Sequence, residues 1–327
     1  MALLPRIPDR EIVAARSARS SLDPARPYAY FVEREYSRAG KIEDVAAVFL
    51  TNKECPFRCV FCDLWQKTLT DRIGDGLVAG QVEWALANLP ETPHVKLYNA
   101  GSFFDPEAIP SGDLPRIAEL LTGKRSVIVE CHPRFVDDRC ISFAKAIAPV
   151  KLEVAIGLET VDPQVLPRIK PSMSLKDFES AARLLTDNDI ELRAFILLGP
   201  PGHCGPERLD WAKRSIDYAF SLGVECCVVI PVRPGNGIVD VLEKQGLYAR
   251  TNLAELQTAV EYGIRAGHGR VFADLWDVER IAGCPNCGDA RIAALEQANS
   301  TQGPPAPIDC SCIRIGDSNS AIRSTSD

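Results

Sequence analysis

Short apolar, β-rich runs alternate with amphipathic helical stretches along this chain, and that rhythm narrows the fold more than any other feature. The runs span 45–50, 94–99, 126–131, 152–158, 192–198 and 226–232. The helical stretches lie near 80–88, 114–121, 137–147, 175–187, 208–222 and 254–266. Runs that stay apolar throughout, instead of alternating with polar residues, belong to strands covered on both faces, as in a helix-wrapped parallel sheet. No internal sequence repeat accompanies the alternation. Six such units predict an α/β fold, a partial (β/α)6 TIM-like barrel, with a small C-terminal cysteine-rich extension. The expected organisation is an N-terminal extension over 1–40, a core barrel over 41–240, a helical region with a four-cysteine metal site over 241–315, and a tail over 316–327. That tail is small and polar and is expected to be disordered.

Catalytic groups in parallel α/β barrels sit at the C-terminal ends of the strands, so chemistry-bearing residues should follow strands directly. Directly after the first strand comes Cys55-Pro56-Phe57-Arg58-Cys59-Val60-Phe61-Cys62, three thiols at C-x3-C-x2-C spacing. Soft thiolates select iron–sulfur clusters, zinc or copper(I). Three ligands rather than four leave one metal position open for chemistry. A zinc knuckle wants a fourth ligand nearby, and none lies close in sequence. Buried packing thiols do not account for a loop that also carries Pro56, Arg58 and Asp63.

Composition bears on compartment and partners. No segment of the 327 residues is long and apolar enough to cross a bilayer. The start, Met1 to Arg10, lacks the apolar stretch of a signal peptide. With that start, tight cysteine spacings among twelve cysteines read as metal binding in a reducing cytoplasm rather than as disulfides. A net charge of −7 argues against bulk electrostatic capture of nucleic acid. Arg6, Arg10, Arg16, Arg19 and Arg26 give the N-terminal segment a mild basic lean, which reads as a solvated arm or helix before it reads as an RNA contact.

The cysteine loop, with an aromatic Phe61 before its last thiol, resembles the cluster loop of the radical S-adenosylmethionine (SAM) enzymes. The resemblance implies that Cys55, Cys59 and Cys62 bind three irons of a [4Fe-4S] cluster while the fourth iron takes the amino and carboxylate groups of SAM. It also implies a role for each later strand end. Tyr98-Asn99-Ala100-Gly101-Ser102 stands where the family carries a Gly-Gly-Glu-like turn for the SAM ammonium; this chain departs from that pattern, with Asn99, Gly101 and Ser102 as the acceptors on offer. Glu130-Cys131-His132-Pro133-Arg134 is a candidate contact for substrate or for the SAM carboxylate, which a bidentate Arg suits. Glu159, in Gly157-Leu158-Glu159-Thr160, is placed for the ribose, since one carboxylate can accept from two vicinal hydroxyls. Gly199, in Gly199-Pro200-Pro201-Gly202, matches a turn that passes the adenine, and Arg193 on the same strand is a candidate to reach SAM. His203, Cys204 and His268 read as ordinary loop residues.

A second thiol group closes the chain: Cys284 and Cys287 at C-x2-C spacing, then Cys310 and Cys312. Two tight pairs across a long loop read as tetrahedral Zn2+, with an auxiliary Fe-S cluster as the rival for the same four ligands. The resemblance further implies an electron donor such as flavodoxin or ferredoxin. Within the family, Cys62 to Thr68, Tyr-Asn-Ala-Gly-Ser-Phe, Glu-Cys-His-Pro-Arg-Phe and Gly-Leu-Glu-Thr look like the elongator-like Fe-S oxidoreductases that include the archaeosine-forming enzyme. That narrower resemblance implies a lyase step on a modified nucleoside in tRNA. The competing class is a non-catalytic iron–sulfur or zinc protein, which has no use for a nucleoside site.

Overall fold

The computed structural model describes residues 4–281 and 283–311; the expectations for Cys312 and for the 316–327 tail lie outside the described residues. Eight strands form one sheet in sequence order. They are β1 (Ala29–Tyr36), β2 (Ile42–Leu50), β3 (His94–Asn99), β4 (Ser126–Cys131), β5 (Lys151–Glu159), β6 (Glu191–Leu198), β7 (Cys226–Pro231) and β8 (Arg270–Ala273). Strands β2 to β8 run parallel, and β1 lies antiparallel against β2. The sheet curls into a half-barrel, the partial TIM-like architecture expected from the alternation.

The helices are α1 (Asp9–Ala14), α2 (Leu77–Asn88), α3 (Leu114–Leu120), α4 (Asp138–Ile147), α5 (Leu166–Ile169), α6 (Leu175–Thr186), α7 (Glu207–Ser221), α8 (Ile238–Lys244), α9 (Leu253–Ala266) and α10 (Gly288–Thr301). All six expected strands and six expected helices are present, with ends shifted by a few residues at most. Outward-facing Val95, Leu97, Val127, Val129, Val154, Ile156, Ala194 and Ile196 are wholly buried beneath the helices. Burying each larger aliphatic side chain contributes roughly 1.5–3 kcal/mol relative to exposure.

Two strands escaped the sequence reading, because neither is an apolar run. Strand β1 mixes Glu33, Arg34 and Glu35 with aromatics, and β8 is only four residues long. The sheet therefore extends beyond 41–240 on both sides.

The acids of β1 are explained by an ionic floor across the barrel interior. Lys96 Nζ donates to Glu33 and Glu35, both at 2.5 Å. Arg193 Nε donates to Glu153 at 2.5 Å and its Nη2 to Glu35 at 2.7 Å. Arg270 adds contacts to Glu225 and Glu153. Charges this deep persist only when paired, so each strand's floor residue answers one on another.

The N-terminal segment carries helix α1, as one of the two expected forms, but its apolar side is docked instead of solvated. Leu4, Ile7 and Ile12 pack on Val60, Val165, Leu197 and Val232 over the top of the barrel. Arg16 and Arg19 both pair with Glu54, beside the cysteine loop, and the Arg16 guanidinium lies 4.8 Å over the Trp65 ring. The crossing is tight at Gly237, where a Cβ would come within 1.9 Å of the Ala15 carbonyl oxygen.

Candidate active site

The cysteine loop leaves the end of β2 and is pinned from several sides. Gln81 of α2 accepts from the Thr51 N–H at 2.8 Å and donates to the Thr51 carbonyl at 2.9 Å. Asn236, beyond β7, donates to the Val60 carbonyl at 2.7 Å, while the Val60 N–H reaches the Ile169 carbonyl at 2.9 Å. Arg58 holds the Cys55 carbonyl at 2.6 Å and the Glu54 carboxylate at 3.1 Å. The loop geometry is thus set by residues from four separate parts of the chain.

All three thiols are half-buried. Burial pushes Cys55 up, Cys59 up to about 12, and Cys62 well above its ordinary value. Thiols in such surroundings stay protonated unless a cation stabilises the thiolate, and a coordinating metal does so outright. Their sulfurs are not all within 4.8 Å of one another, whereas those of Cys284, Cys287 and Cys310 are. Ligands to separate irons of one cluster stand further apart than ligands to a single ion.

Beside Cys55, Asn52 and Asn99 are buried, and both carry amide atoms without a partner among the described residues: Asn52 Oδ1, and Asn99 Oδ1 and Nδ2. Gly101 separates them. A Cβ there would lie 3.4 Å from each Nδ2 and 3.9 Å from Cys55 Cα. Buried polar groups left unmatched are costly, so this corner is shaped for a ligand that both donates and accepts. The head group of an amino acid has that character. Ser102 is committed elsewhere, because its Oγ accepts from the His132 N–H at 3.0 Å and braces the ends of β3 and β4.

At the end of β5, Glu159 adopts a left-handed backbone (φ +66°) that turns its buried side chain inward. Its Oε1 meets the ammonium of Lys170 at 2.7 Å, and Lys170 also donates to the Gly157 carbonyl at 3.0 Å. A non-glycine residue in that region is a rare, strained conformation. Lys170 lies close enough to Cys55 and Cys59 to favour their thiolates. A Cβ at Gly157 would stand 1.9 Å from Glu159 Oε1, so the pair occupies space that only glycine leaves.

His132 stacks on Phe57 of the cysteine loop, with centroids 4.0 Å apart, and shares a hydrogen bond with Ser172. Burial, with Lys170 and Arg134 nearby, pushes it down to about 2, so it is a neutral brace. Gly199 ends β6 in a left-handed turn against Thr251. Arg193 is the exception among the expected site residues. Its guanidinium is 2 % exposed and locked into the floor by Glu153 and Glu35, at the opposite end of the strands. Lys170 and Asn52 were missed by the sequence reading. Neither sits in a turn motif; Lys170 comes from the segment after α5 and reaches the site only through the fold.

The C-terminal thiols form a separate group under α10. Cys284 Sγ lies 3.6 Å from Cys310 Sγ, and Arg291 Nε lies 3.3 Å from Cys287 Sγ. Arg291 also donates to Gln257 at 2.6 Å and to the Ile308 carbonyl at 3.1 Å, which ties this corner to α9. Backbone N–H groups of the turn pull Cys284 down to about 6.

No protein-family model matches the chain, and neither does any curated protein. Solved structures do. Spore photoproduct lyase, solved with a dinucleoside spore photoproduct, superposes with a TM-score of 0.52 at 11% identity, over 84% of this chain and 88% of that one. A radical SAM methyltransferase from Sphaerobacter thermophilus gives 0.51 at 14% identity, over 76% and 77%. The archaeal Elp3 of Methanocaldococcus infernus gives 0.51 at 14% identity over 78% of this chain, which spans 63% of the length of that protein. In architecture, then, this chain has the half-barrel fold of the radical SAM enzymes.

Proposed function

We propose that this protein is a radical SAM enzyme, with Cys55, Cys59 and Cys62 holding a [4Fe-4S] cluster beside bound SAM. The observation that carries the reading is the corner formed by Asn52, Asn99 and Gly101, where orphaned buried amides adjoin the cysteine loop. Asn99 and Asn52 take the amino-acid head group of SAM in place of a Gly-Gly-Glu turn. The Glu159–Lys170 pair presents a carboxylate for the ribose hydroxyls and an ammonium for a carboxylate. The Gly199 turn at the end of β6 is where the resemblance places the adenine. When bound, cluster and SAM supply a 5'-deoxyadenosyl radical that abstracts hydrogen from an unactivated position. The chain's own residues bind, orient and exclude water. A flavodoxin or ferredoxin is the electron donor of this reading, and a modified nucleoside in tRNA is the substrate that the narrower resemblance implies.

The test is anaerobic reconstitution, dithionite reduction and addition of SAM. The expected product is 5'-deoxyadenosine, absent from the Cys55→Ala/Cys59→Ala/Cys62→Ala variant; equal amounts from both proteins refute the reading. Profiling modified tRNA nucleosides after gene deletion tests the tRNA substrate, and an unchanged profile removes it.

For the second thiol group the favoured occupant is zinc. A Zn–S bond of 2.3 Å places tetrahedral sulfurs about 3.8 Å apart, close to the 3.6 Å between Cys284 and Cys310. Metal analysis of the triple variant decides between the two: residual zinc supports this assignment, and residual iron with sulfide overturns it.

A further inference from the structure

Between the ionic floor and the ring of strand ends, the barrel interior has a chemistry of its own. Outward-facing side chains of the strands are shut beneath helices, but inward-facing Phe49, Tyr98, Glu130, Phe195 and Ile230 are only half-buried. These inward-facing side chains therefore keep part of their surface accessible above the floor.

One side of that space is an aromatic wall centred on Phe49. The rings of Tyr28, Phe31, Tyr98 and Trp276 have centroids 5.6, 5.7, 5.9 and 6.1 Å from it. Trp276 comes from the loop after β8 and leans across to β2 with 60% of its surface exposed, an unusual state for an indole in a folded chain. Against the wall stands Glu130 of β4; burial pushes both the Tyr28 and the Tyr98 phenols up, and the Glu130 charge adds to the rise.

Among the described residues, no cation forms an ion pair with Glu130. The Asn99 backbone N–H hydrogen-bonds to it, and the nearest cation, Lys96, already serves Glu33 and Glu35. Burial pushes Glu130 up to about 8. A carboxyl group with no ion pair of its own, set beside aromatic faces, favours a cation, because the ring quadrupole and the carboxylate that forms on docking attract the same ligand.

We propose that this lumen binds the protonated nitrogen of an organic amine, lodged between the Phe49–Trp276 wall and the Glu130 carboxylate. The substrate of the radical chemistry is then an amine, an inference that rests on the radical SAM reading above. Docking of the ammonium returns Glu130 to its charged form, and the carboxylic proton leaves to solvent.

The experiment uses the full-length protein at pH 7 with pentylammonium chloride and, as the neutral isostere, 1-pentanol, followed by calorimetry in two buffers of different ionisation enthalpy. Pentylammonium is expected to bind saturably with net proton release and 1-pentanol at least about tenfold more weakly, as befits a charge-assisted contact. Glu130→Gln abolishes the proton release and weakens pentylammonium binding by about tenfold or more. Trp276→Ala, at an exposed position, weakens it several-fold. Equal binding of the two ligands, no binding of either, or unchanged affinity in both variants overturns the proposal. If Glu130→Gln fails to fold by circular dichroism, Trp276→Ala alone decides. Formation of 5'-deoxyadenosine in the same preparations separates the two readings: product without amine binding sinks only the amine site, and amine binding without product sinks only the radical chemistry.

Discussion

Lys170 Nζ stands 2.7 Å from Glu159 Oε1, and both side chains are almost wholly shut off from solvent. A charge pair at this depth is stable as a pair and costly when halved. Lys170→Met is expected to destabilise the protein by about 3–5 kcal/mol, because it strands the Glu159 carboxylate. The double variant Lys170→Met/Glu159→Gln should recover much of that loss. Urea denaturation of the three variants provides the double-mutant cycle, and strict additivity of the two single effects would show that the pair is not coupled.

The asparagine corner predicts the opposite balance. Asn99 has neither amide atom matched among the described residues, so Asn99→Leu removes an uncompensated desolvation cost. Stability should hold or rise by about 1 kcal/mol, while SAM binding falls at least about tenfold. Thermal denaturation and equilibrium dialysis with SAM measure the two. A variant that loses stability and keeps SAM affinity contradicts the assignment.

Gly157 is a steric prediction. Gly157→Ala drives a methyl group into Glu159 Oε1 and Lys170 Nζ, at 1.9 and 2.8 Å. Overpacking of this kind costs about 1–3 kcal/mol, and displacement of the pair should weaken SAM binding as well. Chemical denaturation and the same dialysis assay report on both effects.

The floor should behave as structure alone. Arg193→Leu leaves Glu153 and Glu35 without their guanidinium, with an expected loss of about 3–5 kcal/mol. At a temperature where the variant remains folded, its SAM affinity should equal that of the parent. A selective loss of SAM binding would return Arg193 to the active site.

His132 carries a pH dependence whose sign follows from burial. Its folded value is pushed down to about 2, well below the roughly 6.5 of a free imidazole. The stabilising contribution is complete above pH 6.5 and is lost as pH falls, because the unfolded chain takes up a proton that the folded one refuses. The loss approaches about 1.4 kcal/mol per pH unit below 6.5. Comparing the stability of the parent and His132→Gln between pH 7 and pH 5 isolates this contribution; parallel profiles would show that His132 is not buried neutral.

Much of the proposed site is written locally. The cysteine loop, the Asn99–Gly101 turn, Glu159 and Gly199 each follow a strand whose apolar run is plain in the chain, and strand ends in such a barrel share one rim. Arg193 misled because an inward position on a strand says nothing about depth. Five residues short of the strand end, it faces the floor instead of the rim. Strand β1 was hidden for a related reason: Glu33 and Glu35 read as surface charges until Lys96 and Arg193 are seen opposite them.

Sequence alone determined the parallel α/β layout and the three-thiol loop, because hydrophobic period and ligand spacing are local and survive without knowledge of neighbours. Only the tertiary structure decided which distant groups face that loop. Lys170 meets Glu159, Asn52 and Asn99 flank Gly101, and the N-terminal segment crosses the top of the barrel to pair Arg16 and Arg19 with Glu54. Those contacts depend on how strands and loops far apart in the chain are brought together by closure of the sheet. Burial and the matching of charge, which set their energies, are properties of that closed arrangement and not of any segment read by itself.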